Sequence, residues 1–175
     1  MENSTKLGDM STTTRITLIT LNSLLILLGL LGNGFVLFAA LKYSAIDIDR
    51  ISILLIENLA AADLLIVLIE FVPILVTLIA DKWMLGNAFC DIQSYGRFEP
   101  FVAEEVIIMT MACYRVHVVL NPPLVPINIM YFYVVVILAW LGPGLNSLVF
   151  LVIKPKRHFN PTHLSCTLSC QWPFR

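Results

Sequence analysis

Charge is scarce in this sequence. Only 13% of its 175 residues are Asp, Glu, Lys or Arg, against 58% that are hydrophobic, and the mean hydropathy is +0.86. Soluble domains carry about 25% charged residues, so this composition excludes an ordinary globular protein and points to a bilayer as the solvent. Neither sign dominates, the formal net charge being -1, and no basic patch or acidic tail suggests nucleic acid as a partner. A signal peptide is also missing. Residues 1–15 are polar and mixed in charge, without a positive start, a short apolar run and a small-residue cleavage site. The first apolar run is therefore expected to remain as a signal anchor. Internal repeats and low-complexity tracts are absent. So are a nucleophile beside a base, a phosphate-binding glycine loop and a water-exposed carboxylate pair, which speaks against an enzyme and against any built-in cofactor.

What is present is four long apolar stretches, approximately 16–43, 52–80, 92–119 and 127–153. Each meets the roughly 20 residues a helix needs to cross a hydrocarbon core of about 30 Å. The gaps hold turn formers and charges, and none is long enough for a domain. The expected fold is an all-α membrane protein: a tail at 1–15, a four-helix region at 16–153, and a polar, cysteine-bearing segment at 154–175. Asn3-Ser4-Thr5 is a glycosylation acceptor if the tail lies outside, whereas Asn160-Pro161-Thr162 is ruled out by its proline.

Ionisable groups in hydrocarbon cost at least about 2.5 kcal/mol each on insertion scales, so each one inside a span needs a reason. Asn33, Asp63 and Glu104 lie near the middle of their helices; Glu70 and Arg97 lie about 10 Å nearer one surface by helical rise. Residues seven apart share a helix face, so Asp63 with Glu70, and Arg97 with Glu104, form two vertical pairs on neighbouring antiparallel helices. The upper rung, Glu70 with Arg97, pairs opposite charges. The lower rung sets Asp63 against Glu104, two acids that cannot both stay ionised without a cation or a shared proton. That rung reads as a sodium or proton site, or as protonated acids hydrogen-bonded across the interface.

Several strings together resemble the rhodopsin-like G-protein-coupled receptors. Gly32-Asn33-Gly34-Phe35-Val36 is similar to the motif of that family's first helix, and Asn58-Leu59-Ala60-Ala61-Ala62-Asp63-Leu64 to that of its second. Trp83, Gly86 and Cys90 repeat the loop that opens helix three; Arg115 follows Cys90 by 25 residues, Pro122 comes seven later, and Trp140 takes the usual tryptophan position in helix four. The resemblance covers residues 16–170. It implies the first four helices of a seven-helix bundle in the plasma membrane, with Trp83, Trp140 and Pro122 as structural positions. It implies Asp63, with Glu104 and Asn33, as the place of a bound sodium ion, and a disulfide from Cys90 to Cys166 or Cys170. It makes Tyr114-Arg115-Val116 the segment facing a heterotrimeric G protein, and Arg97 and Glu70 ligand-pocket candidates.

The family orientation puts the amino terminus outside and Arg115 inside. Counting flanking charges gives the opposite, because Lys6, Arg15, Lys82, Lys154, Lys156, Arg157 and Arg175 fall on one side and only Lys42, Arg50 and Arg115 on the other. The family orientation is preferred here, since later loops of a complete receptor would carry much of the orienting charge and disulfides form on the oxidising side. Two departures stand out. Tyr114 replaces the acid that usually precedes the arginine, leaving Arg115 without its customary lock, and Arg97 replaces the aspartate of amine receptors, which argues against a biogenic amine. Cys113 is expected to be a reduced core residue. His158, His163, Cys166 and Cys170 resemble a zinc set, but their irregular spacing favours a disulfide.

The expected function is that of a receptor fragment or truncated product, sensing an unknown extracellular ligand and signalling only with its remaining three helices. One alternative is a non-signalling partner that dimerises with full-length receptors. A remote one is a small ion or proton pathway built on Asp63, Glu70, Arg97 and Glu104.

Overall fold

The computed structural model describes residues 10–43, 49–120, 128–153, 156–160 and 164–169. The fold is a four-span helical membrane bundle. Span one is α1 (Thr12–Tyr43); span two is α2 (Arg50–Ile66), a π-helical turn (Val67–Phe71) and α3 (Val72–Ala80); span three is α4 (Gly86–Gly96) with α5 (Phe98–Leu120); span four is α6 (Ile129–Ile153). Spans one and two are long and apolar enough to cross a membrane on composition alone, with mean hydropathies of 2.4 and 2.5. Span three carries Glu99, Glu104, Glu105 and Arg115 within α5, so its membrane placement rests on packing rather than on composition.

Caps explain where the helices begin. Ser11 Oγ accepts from the Thr14 amide, which starts α1 four residues ahead of its apolar run. Asp49 caps α2 by accepting from the Ile51 amide at 3.1 Å, and Asn128 caps α6 by accepting from the Met130 amide at 2.9 Å. Pro100, in the first turn of α5, has no N–H for the carbonyl of Gly96, and the helix breaks between them at Arg97.

Pro73 does the same in span two, with more consequence. It cannot donate to the carbonyl of Ile69, and the ladder widens, the Val72 amide reaching back five residues to Val67. Side chains from other helices reach carbonyls of this turn. Gln93 Nε2 donates to the Ile69 carbonyl at 3.4 Å, and Asn22 Nδ2 of α1 to that of Phe71 at 2.8 Å. The bulge thus fastens span two to spans one and three.

The main core lies where spans two, three and four meet: Ile51 and Leu55 of α2, Ala103, Ile107 and Tyr114 of α5, and Phe132, Val136 and Ala139 of α6. Span one packs peripherally, and many of its leucines face outward, as a lipid-exposed helix requires. At one point it comes close: a Cβ on Gly29 would sit 2.7 Å from the Val67 methyl. The glycines of the Gly32-Asn33-Gly34 motif meet nothing within 4 Å.

An all-helical reading omits one element. Residues Lys156–Asn160 (β1) and Ser165–Ser169 (β2) form an antiparallel hairpin, with Phe159 opposite Cys166. It packs on α4 at the bundle end that carries Trp83. Its short polar strands were not visible beside the hydropathy signal of the spans.

Candidate functional site

Polar groups gather at three levels of spans two and three. At the hairpin end, Arg97 donates to Glu70 Oε1 at 3.2 Å, in the ion pair expected for the upper rung. Both side chains are largely buried, at 29% and 17% exposure, so the pair is shielded from solvent. The arginine also reaches Ser165 of β2 at 3.5 Å, and fully buried Gln93 accepts from the Cys166 amide at 2.9 Å. Cys90 is bonded to Cys166. The hairpin is therefore stitched over Glu70 and Arg97 by one covalent bond and two side chains of α4 and its C-terminal cap. Cys170, the other possible partner, lies outside the described residues, and the engagement of Cys166 removes it from any zinc set. Trp83 packs against the bridge and donates to the Gly86 carbonyl at 3.1 Å.

At mid-span, Asn33 of α1 hydrogen-bonds the Asp63 carboxyl, and Glu104 of α5 faces Asp63 closely enough for their charges to interact. The two acids of the lower rung thus lie near one another, with Asn33 beside Asp63. Below them Trp140 of α6 donates to Asn58 Oδ1 at 3.1 Å, while Asn58 Nδ2 donates to the Leu54 carbonyl, joining spans two and four.

At the opposite end, Arg115 and Val116 are exposed, and among the described residues no carboxylate is within ion-pair distance of Arg115. Tyr114 departs from the expectation that it faces outward: it is 8% exposed and turns into the core. Its hydroxyl donates to Asp49 Oδ2, its ring packs edge-on to Phe132 at 5.3 Å, and Ser52 Oγ donates to the same carboxylate at 2.8 Å. Burial pushes the Asp49 carboxyl up, but hydrogen bonds from Tyr114, from Ser52 and from the Ile51 and Ser52 amides outweigh it and hold the pKa below the usual value. The acid absent from the sequence position before Arg115 is thus present in space, joined to Tyr114 rather than to the arginine.

A family model of the seven-transmembrane receptors of the rhodopsin family matches residues 32–174. The chain belongs to the rhodopsin family. Neuropeptide Y receptor type 5 of Rattus norvegicus and that of Mus musculus are each 29% identical to it over 167 residues. That alignment takes in 89% of this chain and 36% and 34% of theirs, so the chain spans about a third of the length of those relatives.

For a rhodopsin-family chain, sequence reasoning missed four connectors. Asp49 lies in the gap before span two, where a capping acid excites no suspicion. Asn22 and Gln93 are polar residues in helices; Gln93 is detectable by asking which carbonyl Pro73 orphans, and Asn22 carries no such signal. Arg15 donates to the carbonyls of Leu78 and Ile79 at 2.7 and 2.8 Å and pairs with Asp81 at 3.4 Å, closing the end of α3. Cys113 is a correction of another kind. It is free but exposed on α5, because its helix face points away from the core. Asn3 and Pro122 lie outside the described residues.

Proposed function

We propose that this chain forms the first four spans of a receptor that senses an extracellular ligand and, with three further spans, activates a heterotrimeric G protein. The observation that carries this reading is the arrangement of span three. One end is bolted by Cys90–Cys166 and Gln93 beneath a hairpin, and the other presents Arg115 unlocked beside a part-buried Tyr114–Asp49 contact. A ligand that shifts the hairpin end bears on the helix that carries the arginine. In this reading the amino terminus is extracellular, Arg97 and Glu70 line the ligand entrance, and Arg115 with Val116 meets the G protein.

The name of the two relatives supports a peptide as the ligand class. An aspartate for an ammonium group is lacking at Arg97, which weighs against amines. Asp63 and Glu104, with Asn33, fit a sodium ion or a shared proton, since hard cations favour carboxylate and amide oxygens. Among the described residues no three His, Cys, Asp or Glu side chains gather as a metal cage, so such an ion would rest on two carboxyls and one amide. Bound there, it would neutralise the acid pair between spans two and three.

To test the reading, the chain is co-expressed with spans five to seven of a neuropeptide Y receptor type 5 and challenged with a peptide panel, while G-protein activation is recorded. Peptide-dependent activation only on co-expression, lost with Arg115→Ala, is the expected result. Surface assembly of both parts without activation by any peptide would count against it. A second reading, a non-signalling partner of full-length receptors, is favoured by the exposed apolar faces of α5 and α6, including Met109, Val119 and Leu138. Co-purification with a full-length relative, and reduced surface delivery of that relative, would support this alternative.

A further inference from the structure

Residues 154–175 carry four Lys or Arg, namely Lys154, Lys156, Arg157 and Arg175, and no Asp or Glu, in a chain whose formal net charge is -1. Three of these bases fall within Lys154-Pro155-Lys156-Arg157-His158, which leads into and along β1. In the orientation proposed above this end is extracellular, the side that the positive-inside rule keeps poor in Lys and Arg. Successive residues of a strand alternate between its faces, so Lys156 and His158 take one register face and Arg157 the other. The bases therefore follow the line of the strand and do not collect on one side of the hairpin. The described sheet has two strands, so β1 is an edge. That edge is closed to a further strand. It is five residues long, it carries Lys and Arg, and it is bracketed by Pro155 and Pro161, which have no N–H.

We infer that β1 is a docking strip for a sulfated polysaccharide of the cell surface, held by Lys156 and Arg157 with Lys154 beside them. Short runs rich in Lys and Arg make polyanion sites, because clustered positive charge attracts a closely charged chain. Three features choose among anionic partners. A folded acidic protein face would meet the bases of one register face only, whereas a linear polyanion lying along the strand has charge on both of its sides. An extended acidic peptide would gain little backbone pairing from a proline-bracketed edge. Anionic lipid is concentrated in the cytoplasmic leaflet, which in this orientation lies at the opposite end of the bundle. Guarding an edge is the other duty of a strand lysine, but that duty needs neither a run of bases nor the exclusion of acids from the residues that follow. The inference rests on the hairpin end lying outside the cell, and not on signalling.

The test places the full 175-residue chain in phosphatidylcholine nanodiscs and measures its binding to immobilised heparin over a range of NaCl concentrations. Saturable binding that weakens steeply with salt is expected, and desulfated heparin should not bind. Polyglutamate at equal charge should be captured more weakly. Lys156→Ser combined with Arg157→Ser should weaken heparin binding at least about tenfold, since two exposed ion pairs are lost together. Lys156→Arg combined with Arg157→Lys should leave it intact. Lys82→Ser, at an exposed base of the same bundle end but outside the hairpin, should bind as the parent does. Resistance of Cys90 and Cys166 to alkylation without reductant shows that each variant keeps its hairpin bonded. Cells expressing the chain should bind labelled heparin above untransfected cells without permeabilisation. Absence of binding, or binding unchanged by the paired serine substitutions, would overturn the proposal. So would heparin binding only after permeabilisation, or equal capture of polyglutamate, which would make an acidic polypeptide the partner. Peptide-dependent G-protein activation by a chain that ignores heparin would sink this inference and leave the receptor reading standing.

Discussion

Tyr114 lies on span three and Asp49 caps span two, 65 residues apart, and their contact joins the Arg115 ends of spans two and three. Tyr114→Phe keeps the ring contact with Phe132 and removes only the donor. A hydrogen bond to a charged group contributes about 1.5–3 kcal/mol, and because Asp49 can reach water the loss should fall near or below the lower figure. Unfolding in detergent followed by tryptophan fluorescence measures it. Asp49→Asn keeps a capping side chain, since Asn caps about as well as Asp, so it isolates the charge. The carboxyl is held below its ordinary value of 3.8. Its contribution is therefore fully present above that value and disappears as pH falls through the depressed one. The stability gap between parent and Asp49→Asn should be constant near neutrality and close only in strong acid. A gap that closed between pH 5 and 7 would contradict the assignment.

Gly29 gives a second residue-scale outcome. An added Cβ meets the Val67 methyl at 2.7 Å, and valine in a helix has almost no rotamer freedom with which to yield. Gly29→Ala should cost about 1–3 kcal/mol by overpacking. Gly32→Ala and Gly34→Ala, with open space at both sites, should be neutral to slightly stabilising in the same assay.

Span two shows at the level of the element what a single proline demands. Pro73 opens the ladder; Gln93 meets the freed Ile69 carbonyl, and Asn22 donates to the neighbouring Phe71 carbonyl. Gln93→Leu should be more harmful than its size suggests, because it strands the Ile69 carbonyl and the Cys166 amide together. Each buried orphan costs about 1–3 kcal/mol. The variant should lose about 2–6 kcal/mol and expose the hairpin to proteolysis, measured by melting and by limited digestion. Gln93→Glu, which retains the acceptor for Cys166, should keep the hairpin protected.

The legible part of this fold was the part written in periodic or covalent chemistry. Four helical stretches follow from the apolar runs, two of them apolar enough to cross a membrane on composition alone, and Glu70 with Arg97 follows from depth and from a spacing of seven. The rest depended on backbone groups, which carry no letter of their own. The hairpin is invisible because Lys156–Asn160 and Ser165–Ser169 are short and polar. The role of Asp49 is invisible because its partner is distant in sequence. Cys113 was misplaced because depth along a helix says nothing about which way a residue faces.

At the scale of the whole molecule, the two ends of span three are held by different means. A disulfide and a buried glutamine fix the hairpin end, whereas an exposed carboxylate and a tyrosine hydroxyl hold the Arg115 end. A lever with one fixed end and one releasable end is what transmission of a binding event requires. The orientation of that lever decides whether the account is correct, since the flanking charges argue one way and the family fold the other. The most direct measurement uses single cysteines at Ser11 and at Val119, which is 83% exposed, in a background of Cys113→Ala and Cys170→Ser. A membrane-impermeant thiol reagent is applied to intact and then to permeabilised cells. Labelling at position 11 in intact cells, and at position 119 only after permeabilisation, is the predicted result; the reverse pattern would place Arg115 outside and contradict the receptor reading.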